Sequence, residues 1–135
     1  MTKTSGIKEI SRLYYEKIIQ LCREKDIEVL LVSMPRLERS DDYEYNAVSR
    51  FSDEYGLTLI DYNLPEFMDV VGFDPMTDMT DKNHVNSFGA EKFSRNLGDY
   101  ISTQFNLADK REDPKYSQWN IDAEQLRQLI KDNRK

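Results

Sequence analysis

The chain contains a single histidine, His84, in a stretch dense with groups that handle protons: Asp74, Thr77, Asp78, Thr80, Asp81, Lys82, His84, Asn86 and Ser87. Asp81 stands three residues before it. A carboxylate at that spacing can hold an imidazole in one tautomer and stabilise the imidazolium formed when the ring takes a proton from a hydroxyl nucleophile. Asp81 and His84 therefore have the chemistry of two thirds of a Ser-His-Asp triad. Spacing alone is a weak signal, because acids fill 25 of the 135 positions; a solvated loop histidine is the bland alternative. Other chemistries find less support. One cysteine, Cys22, forbids an internal disulfide, and with one histidine the chain is short of ligands for a structural zinc site. Cys22 reads as a packed thiol on a helix. Asp74, Asp78 and Asp81 lack the alternate-residue spacing and turn glycine of a calcium loop, so no metal is expected. No glycine-rich phosphate cradle is present.

The elements that must position this stretch can be read from apolar periodicity. From Gly6 to Lys25, Ile7, Ile10, Tyr14, Ile18 and Leu21 recur at steps of three and four, widened by Leu13 and Cys22, which predicts an amphipathic helix capped by Thr4 or Ser5. Val29 to Val32 is a short unbroken apolar run closed by Met34-Pro35, a buried strand of the kind found in parallel sheets. Ser40-Asp41-Asp42 signals a second helix with Ala47, Val48, Phe51 and Tyr55 on one face, ended by Gly56. Leu57 to Asp61 is a second strand. Tyr62 to Val85 reads as loop, with a helical turn or two from Glu66 to Val71. A helix follows from Phe88 to Phe105, with Phe93, Leu97, Tyr100, Ile101 and Phe105 inward. Helix, strand, helix, strand with short connections is the signature of an α/β layer. His84 then lies on a loop after a strand, and in such sheets the carboxyl ends of strands build active sites. The pairs Tyr14-Tyr15 and Tyr43-Tyr45 read as core and rim aromatics.

Length and composition bound the whole. The 135 residues suffice for one domain: residues 1–105 as a partial α/β unit, and 106–135 as a charged extension broken by Pro114 and carrying a short helix around Leu126, Leu129 and Ile130. A net charge of −6 argues against nucleic acid as a partner, since that binding is driven by Lys and Arg displacing counterions. No apolar run approaches the roughly 20 residues that cross a bilayer, and no signal-type stretch follows Met1, so a soluble chain is expected. Discounting eight Tyr and counting five Gly, the apolar share is about 37%, against roughly 45–50% in ordinary soluble domains. Two strands and a thin core suggest half of an α/β domain, completed by an N-terminal segment or by a second copy of the chain.

The longer pattern Asp81-x-x-His84-x-Asn86-x-x-Gly89-Ala90-x-Lys92-Phe93 closely resembles the last sequence block of the SGNH (GDSL-type) hydrolases. Gly72 to Asp78 and Asp109 to Trp119 resemble segments of bacterial cell-envelope proteins related to the D-alanyl-lipoteichoic acid and alginate O-acetylation proteins. The resemblance spans roughly Ile7 to Trp119. It implies a flavodoxin-like three-layer α/β/α domain, here its C-terminal half, with Asp81 and His84 as triad acid and base and Asn86 and Gly89 among the residues that lock their loop onto the last helix. It further implies ester hydrolysis or acyl transfer through an acyl-serine, without metal or organic cofactor, on acyl esters or glycans at the cell envelope. The departures are specific. The family's Gly-Asp-Ser block and its Gly and Asn oxyanion donors have no counterpart, and Ser33 falls in what resembles the penultimate strand, where no nucleophile belongs. A non-catalytic α/β interaction or scaffold module is the alternative.

Overall fold

The computed structural model describes residues 6–37 and 41–132, with backbone alone at 41–44. Thr4, Ser5, Ser40 and the side chains of Asp41, Asp42 and Tyr43 lie outside the described residues. The architecture is mixed α/β and mostly helical. Among the described residues the sheet has two parallel strands, β1 (Leu30–Ser33) and β2 (Thr58–Asp61), paired in the register Leu30↔Thr58 through Ser33↔Asp61. Both strands begin one residue later than the apolar runs suggest. They are joined through α2 (Asp41–Tyr55), which ends at Gly56, whose φ of 63° is the left-handed conformation that favours glycine.

The core forms where β2 meets the long helix α5 (Ser87–Gln104). Ile60, Tyr62 and Phe93 are buried there, and Leu30, Phe67, Val71, Phe73, Val85, Leu97 and Tyr100 pack around them. Tyr62 is fully buried and meets Phe93 edge-on at 4.8 Å between ring centroids. Its hydroxyl donates to Asn96 Oδ1 at 2.8 Å, so the one polar atom of this ring is satisfied. Burial pushes the Tyr62 phenol upward from its ordinary value.

The segment from 62 to 85 carries more structure than its composition suggests. Pro65 opens α3 (Pro65–Val71), and Gly72 closes it at a φ of 67°. A further turn, α4 (Pro75–Asp78), was not anticipated. Its start chemistry is regular all the same: Asp74 accepts from the Met76 amide at 2.9 Å and Pro75 occupies the first turn, where a missing N–H costs nothing. Four residues are too few to show a helical period.

The first helix, α1 (Glu9–Glu24), departs from expectation in its face and its cap. Lys8 stands at the cap position and makes no side-chain cap bond. The expected inward stripe is largely outward: Ile10, Leu13, Tyr14, Ile18 and Leu21 are 45–60% exposed, while Ile19 is buried. Polar and aromatic contacts explain this orientation. Arg12 reaches Glu54 and Glu16, the Tyr55 hydroxyl donates to Glu16, and Arg23 donates to the Tyr55 carbonyl. Tyr15 leans on Phe51 at 5.8 Å between ring centroids. The helix is thus tied to α2 through Arg12, Tyr15, Glu16 and Arg23, and a two-stranded sheet offers little surface to its apolar stripe.

The extension ends in α6 (Ser117–Asp132), longer than the short helix expected, preceded by a 3₁₀ turn at Pro114–Tyr116 capped by Asp113. It does not fold back over the apolar face. Trp119 is 73% exposed, and Leu126 and Leu129 also face solvent. Among the described residues no helix is long and apolar enough to cross a membrane.

Candidate active site

Asp81 and His84 occupy the tip of a loop between α4 and α5 whose base is closed by backbone bonds. Met79 and Val85 form an isolated antiparallel bridge, and the Thr80 amide donates to the His84 carbonyl at 2.8 Å. Inside this loop Asp81 is the acceptor for everything that turns toward it. Its Oδ1 accepts from the amides of Asn83 and His84 at 2.8 and 3.0 Å, and both carboxylate oxygens lie 2.9 Å from His84 Nδ1. The Asn83 amide and the His84 ring hold the Asp81 carboxyl below the usual carboxylate range. An ionised carboxylate only accepts, so Nδ1 is the nitrogen that donates, and the tautomer this selects leaves the lone pair on Nε2. The ring is 75% exposed, and among the described residues nothing hydrogen-bonds Nε2. Two cavities lie elsewhere, one along α1 and the other between the sheet and Phe51, and neither is lined by Asp81 or His84.

Asn86 and Gly89 join the loop to α5. Asn86 is the N-cap: its Oδ1 accepts from the amides of Phe88 and Gly89 at 2.9 and 3.1 Å, and its Nδ2 donates to the carbonyls of Thr77 and Met79. Gly89 lets α5 approach the end of α4. A Cβ there would stand 2.4 Å from the Asp78 carbonyl oxygen. That same oxygen accepts from the Asn86 amide at 2.9 Å.

Two further groups escaped the sequence reading. Asp78 is 1% exposed and accepts at Oδ2 from the Asp74 amide at 2.8 Å and from Lys92 Nζ at 2.7 Å. Burial alone would raise its carboxyl, but the Asp74 amide, Lys92 and Thr77 outweigh it and hold the group low. Fourteen residues separate Asp78 from Lys92, and only the packing of α4 on α5 brings them together. The second group lies at the carboxyl ends of the strands. Asn63 donates to Asp61 Oδ1, to the Met34 carbonyl and to Ser33 Oγ at 3.1 Å. Its signal in the sequence was an Asx pattern: the Asn63 amide bonds Asp61 two residues back. Ser33 is therefore engaged by Asn63, and no hydrogen bond joins it to His84 among the described residues. The Leu37 amide donates to the Lys82 carbonyl at 2.8 Å, which ties the loop of Asp81 and His84 to the segment leaving β1. Cys22 is half-buried and free.

With Asp78 turned onto Lys92 and Asp81 onto His84, the acidic run has no convergent set of ligands; among the described residues no three His, Cys, Asp or Glu side chains gather as a metal site. Comparison of the chain with protein-family models, curated proteins and solved structures finds no match.

Proposed function

We propose that this chain is the C-terminal part of an SGNH-like esterase or O-acyltransferase, completing a triad with the acid Asp81 and the base His84. The observation that carries this reading is the Asp81 carboxylate seated on His84 Nδ1 through both oxygens, with the backbone of residues 81–84 folded around the same carboxylate. Such an arrangement fixes the tautomer whose Nε2 takes a proton. A serine hydroxyl presented to Nε2 would lose its proton to the ring as Oγ attacks the ester carbonyl. The imidazolium, stabilised by Asp81, then gives that proton to the departing alkoxide, leaving an acyl-serine. Water, or a glycan hydroxyl, attacks the acyl-serine with His84 again accepting the proton, and the serine is regenerated. The serine and oxyanion donors come from a Gly-Asp-Ser-bearing segment outside these 135 residues. Such a segment would extend the two-stranded sheet along the open edge of β1.

The test compares p-nitrophenyl acetate hydrolysis by this chain and by His84→Ala, each alone and with a polypeptide carrying the missing block. Alone, the two are expected to be equally slow, since neither has nucleophile or oxyanion hole. Complemented, the native chain is expected to turn over ester, and Asp81→Asn to lower kcat by as much as about 10⁴-fold through the wrong tautomer. His84-dependent turnover by the chain alone would overturn the missing-nucleophile reading and make Ser33 the first residue to replace. Complemented activity indifferent to His84 would overturn the triad.

A second reading, a non-catalytic α/β interaction module, is favoured by one observation: the His84 ring is three-quarters exposed, whereas catalytic bases commonly work in water-excluded sites. Loss of partner binding on substituting the exposed face of α1, with no effect of His84→Ala on any activity, would support it.

A further inference from the structure

The loop that bears Asp81 and His84 is held by its own hydrogen bonds and by the Leu37 amide on the Lys82 carbonyl, but it buries no side chain of its own. Residues 80–84 are all exposed, and Met79 and Val85 at its base are only half-buried. Packing reaches it only from below, where the buried residue next to its base is Asp78. On one carboxylate Asp78 gathers the Asp74 amide, the Thr77 hydroxyl at 3.2 Å and Lys92 Nζ, and Lys92 also donates to the Gly72 carbonyl at 2.7 Å. Through its backbone Asp78 receives the Asn86 amide and touches Gly89. The Asp78–Lys92 pair therefore ties together the end of α3, α4, the base of the loop and the first turns of α5. A buried carboxylate costs desolvation that well-packed apolar side chains would avoid. Holding α4 on α5 does not by itself require a charge here.

We propose that the Asp78–Lys92 ion pair is a positioning device for His84, holding the base of the loop at the separation from α5 at which Asp81 meets Nδ1. The proposal rests on the Asp81–His84 pairing read above. Neither residue touches a reacting atom. Neutralising either one relaxes the base of the loop, frees residues 80–84 to leave the single conformation in which Asp81 accepts three N–H groups, and lets the imidazole sample its other tautomer.

The chain has only one histidine, so its ring nitrogens give a single set of ¹⁵N signals and the tautomer can be read without assignment ambiguity. The full chain is measured above the pH at which the ring is protonated, as wild type, Asp78→Asn, Lys92→Gln and Lys92→Arg. The wild type is expected to show Nδ1 protonated and Nε2 bare. Asp78→Asn and Lys92→Gln are expected to lose that bias, and Lys92→Arg, which keeps the cation, to retain most of it. Far-ultraviolet circular dichroism confirms that each variant is folded. Lys92, about a third exposed, keeps the test readable if Asp78→Asn does not fold. A bias that persists undiminished in folded Asp78→Asn or Lys92→Gln overturns the positioning role alone and leaves the pairing intact. A wild-type ring that already mixes tautomers overturns the pairing, and the positioning role falls with it.

Discussion

Two glycines of the same helix should respond to alanine in opposite directions. At Gly98 of α5 an added Cβ meets nothing within 4 Å, and the backbone is helical. Replacing it removes unfolded-state freedom at no steric cost, so Gly98→Ala should stabilise the chain by about 0.5–1 kcal/mol. At Gly89 the Cβ would lie 2.4 Å from the Asp78 carbonyl oxygen and 3.1 Å from its Cβ. The first of these is backbone, held by the Asn86 amide, and cannot swing aside. Relief needs α4 and α5 to separate by roughly 1 Å, an overpacking that typically costs 1–3 kcal/mol. It also stretches the hydrogen bond from the Asn86 amide to that buried acceptor, worth about 1 kcal/mol. Set against a helix-propensity gain below about 1 kcal/mol, the net is a loss of about 2 kcal/mol. For a chain of this length each kcal/mol moves Tm by about 4 °C. Thermal and urea unfolding should therefore place Gly89→Ala some 8 °C below the wild type, by order of magnitude, and Gly98→Ala a few degrees above it. A Gly89→Ala protein as stable as the wild type would refute the close approach of the two helices, and with it the account of how the His84 loop is anchored.

Three other outcomes follow from the same contacts. Asp78 titrates below its unfolded value near 3.9, so its contribution to stability is complete above that value and disappears as pH falls through the lower folded value; urea midpoints of Asp78→Asn should lack that part of the acid-side decline, and parallel curves would refute the pairing with Lys92. Phe93→Ala, at 1% exposure against Tyr62 and Phe73, should cost about 3–5 kcal/mol in urea unfolding, and a loss under about 1 kcal/mol would show the core to lie elsewhere. The half-exposed stripe of α1 and the open edge of β1 should drive concentration-dependent association that Ile18→Glu abolishes with little effect on helix content; sedimentation showing a monomer at every concentration would exclude self-pairing.

Local patterns were legible in the sequence because local physics decides them. The unbroken run from Val29 to Val32, the left-handed turn at Gly56 and the inward face of α5 through Phe93 need no knowledge of distant residues. Asp81 and His84, three apart, belong to the same category: one turn of backbone brings them together. The elements that were misread depend on partners far along the chain. The moment of α1 identifies an apolar stripe but not which side will find a surface, and here Arg12, Glu16 and Arg23 chose the side facing Tyr55. Lys92 reads as one cation among 19 until α5 lies against α4.

The exposed histidine and the open edge of β1 have one physical account. A compact monomer of 16.0 kDa is expected to expose about 7,400 Å², and this chain exposes 10558 Å², an excess far above the roughly 800 Å² that each partner buries in a standard interface. In a parallel pair alternate residues direct their peptide groups to the neighbour; Ser33 accepts from the Tyr62 amide, so Val32 directs its own outward, to an edge that no described strand occupies. The segment leaving that edge is the one whose Leu37 amide grips the His84 loop at Lys82. Whatever extends the sheet at β1 is therefore placed to reach the loop through this connection. On the reading proposed for the site, a single covering segment buries the apolar edge, brings a nucleophile toward Nε2 and excludes water from the imidazole. Exposure of His84 should then fall in step with protection of the β1 amides when that segment is added. Hydrogen exchange that protects β1 while leaving the His84 loop unchanged would separate the two and leave the edge as an assembly surface alone.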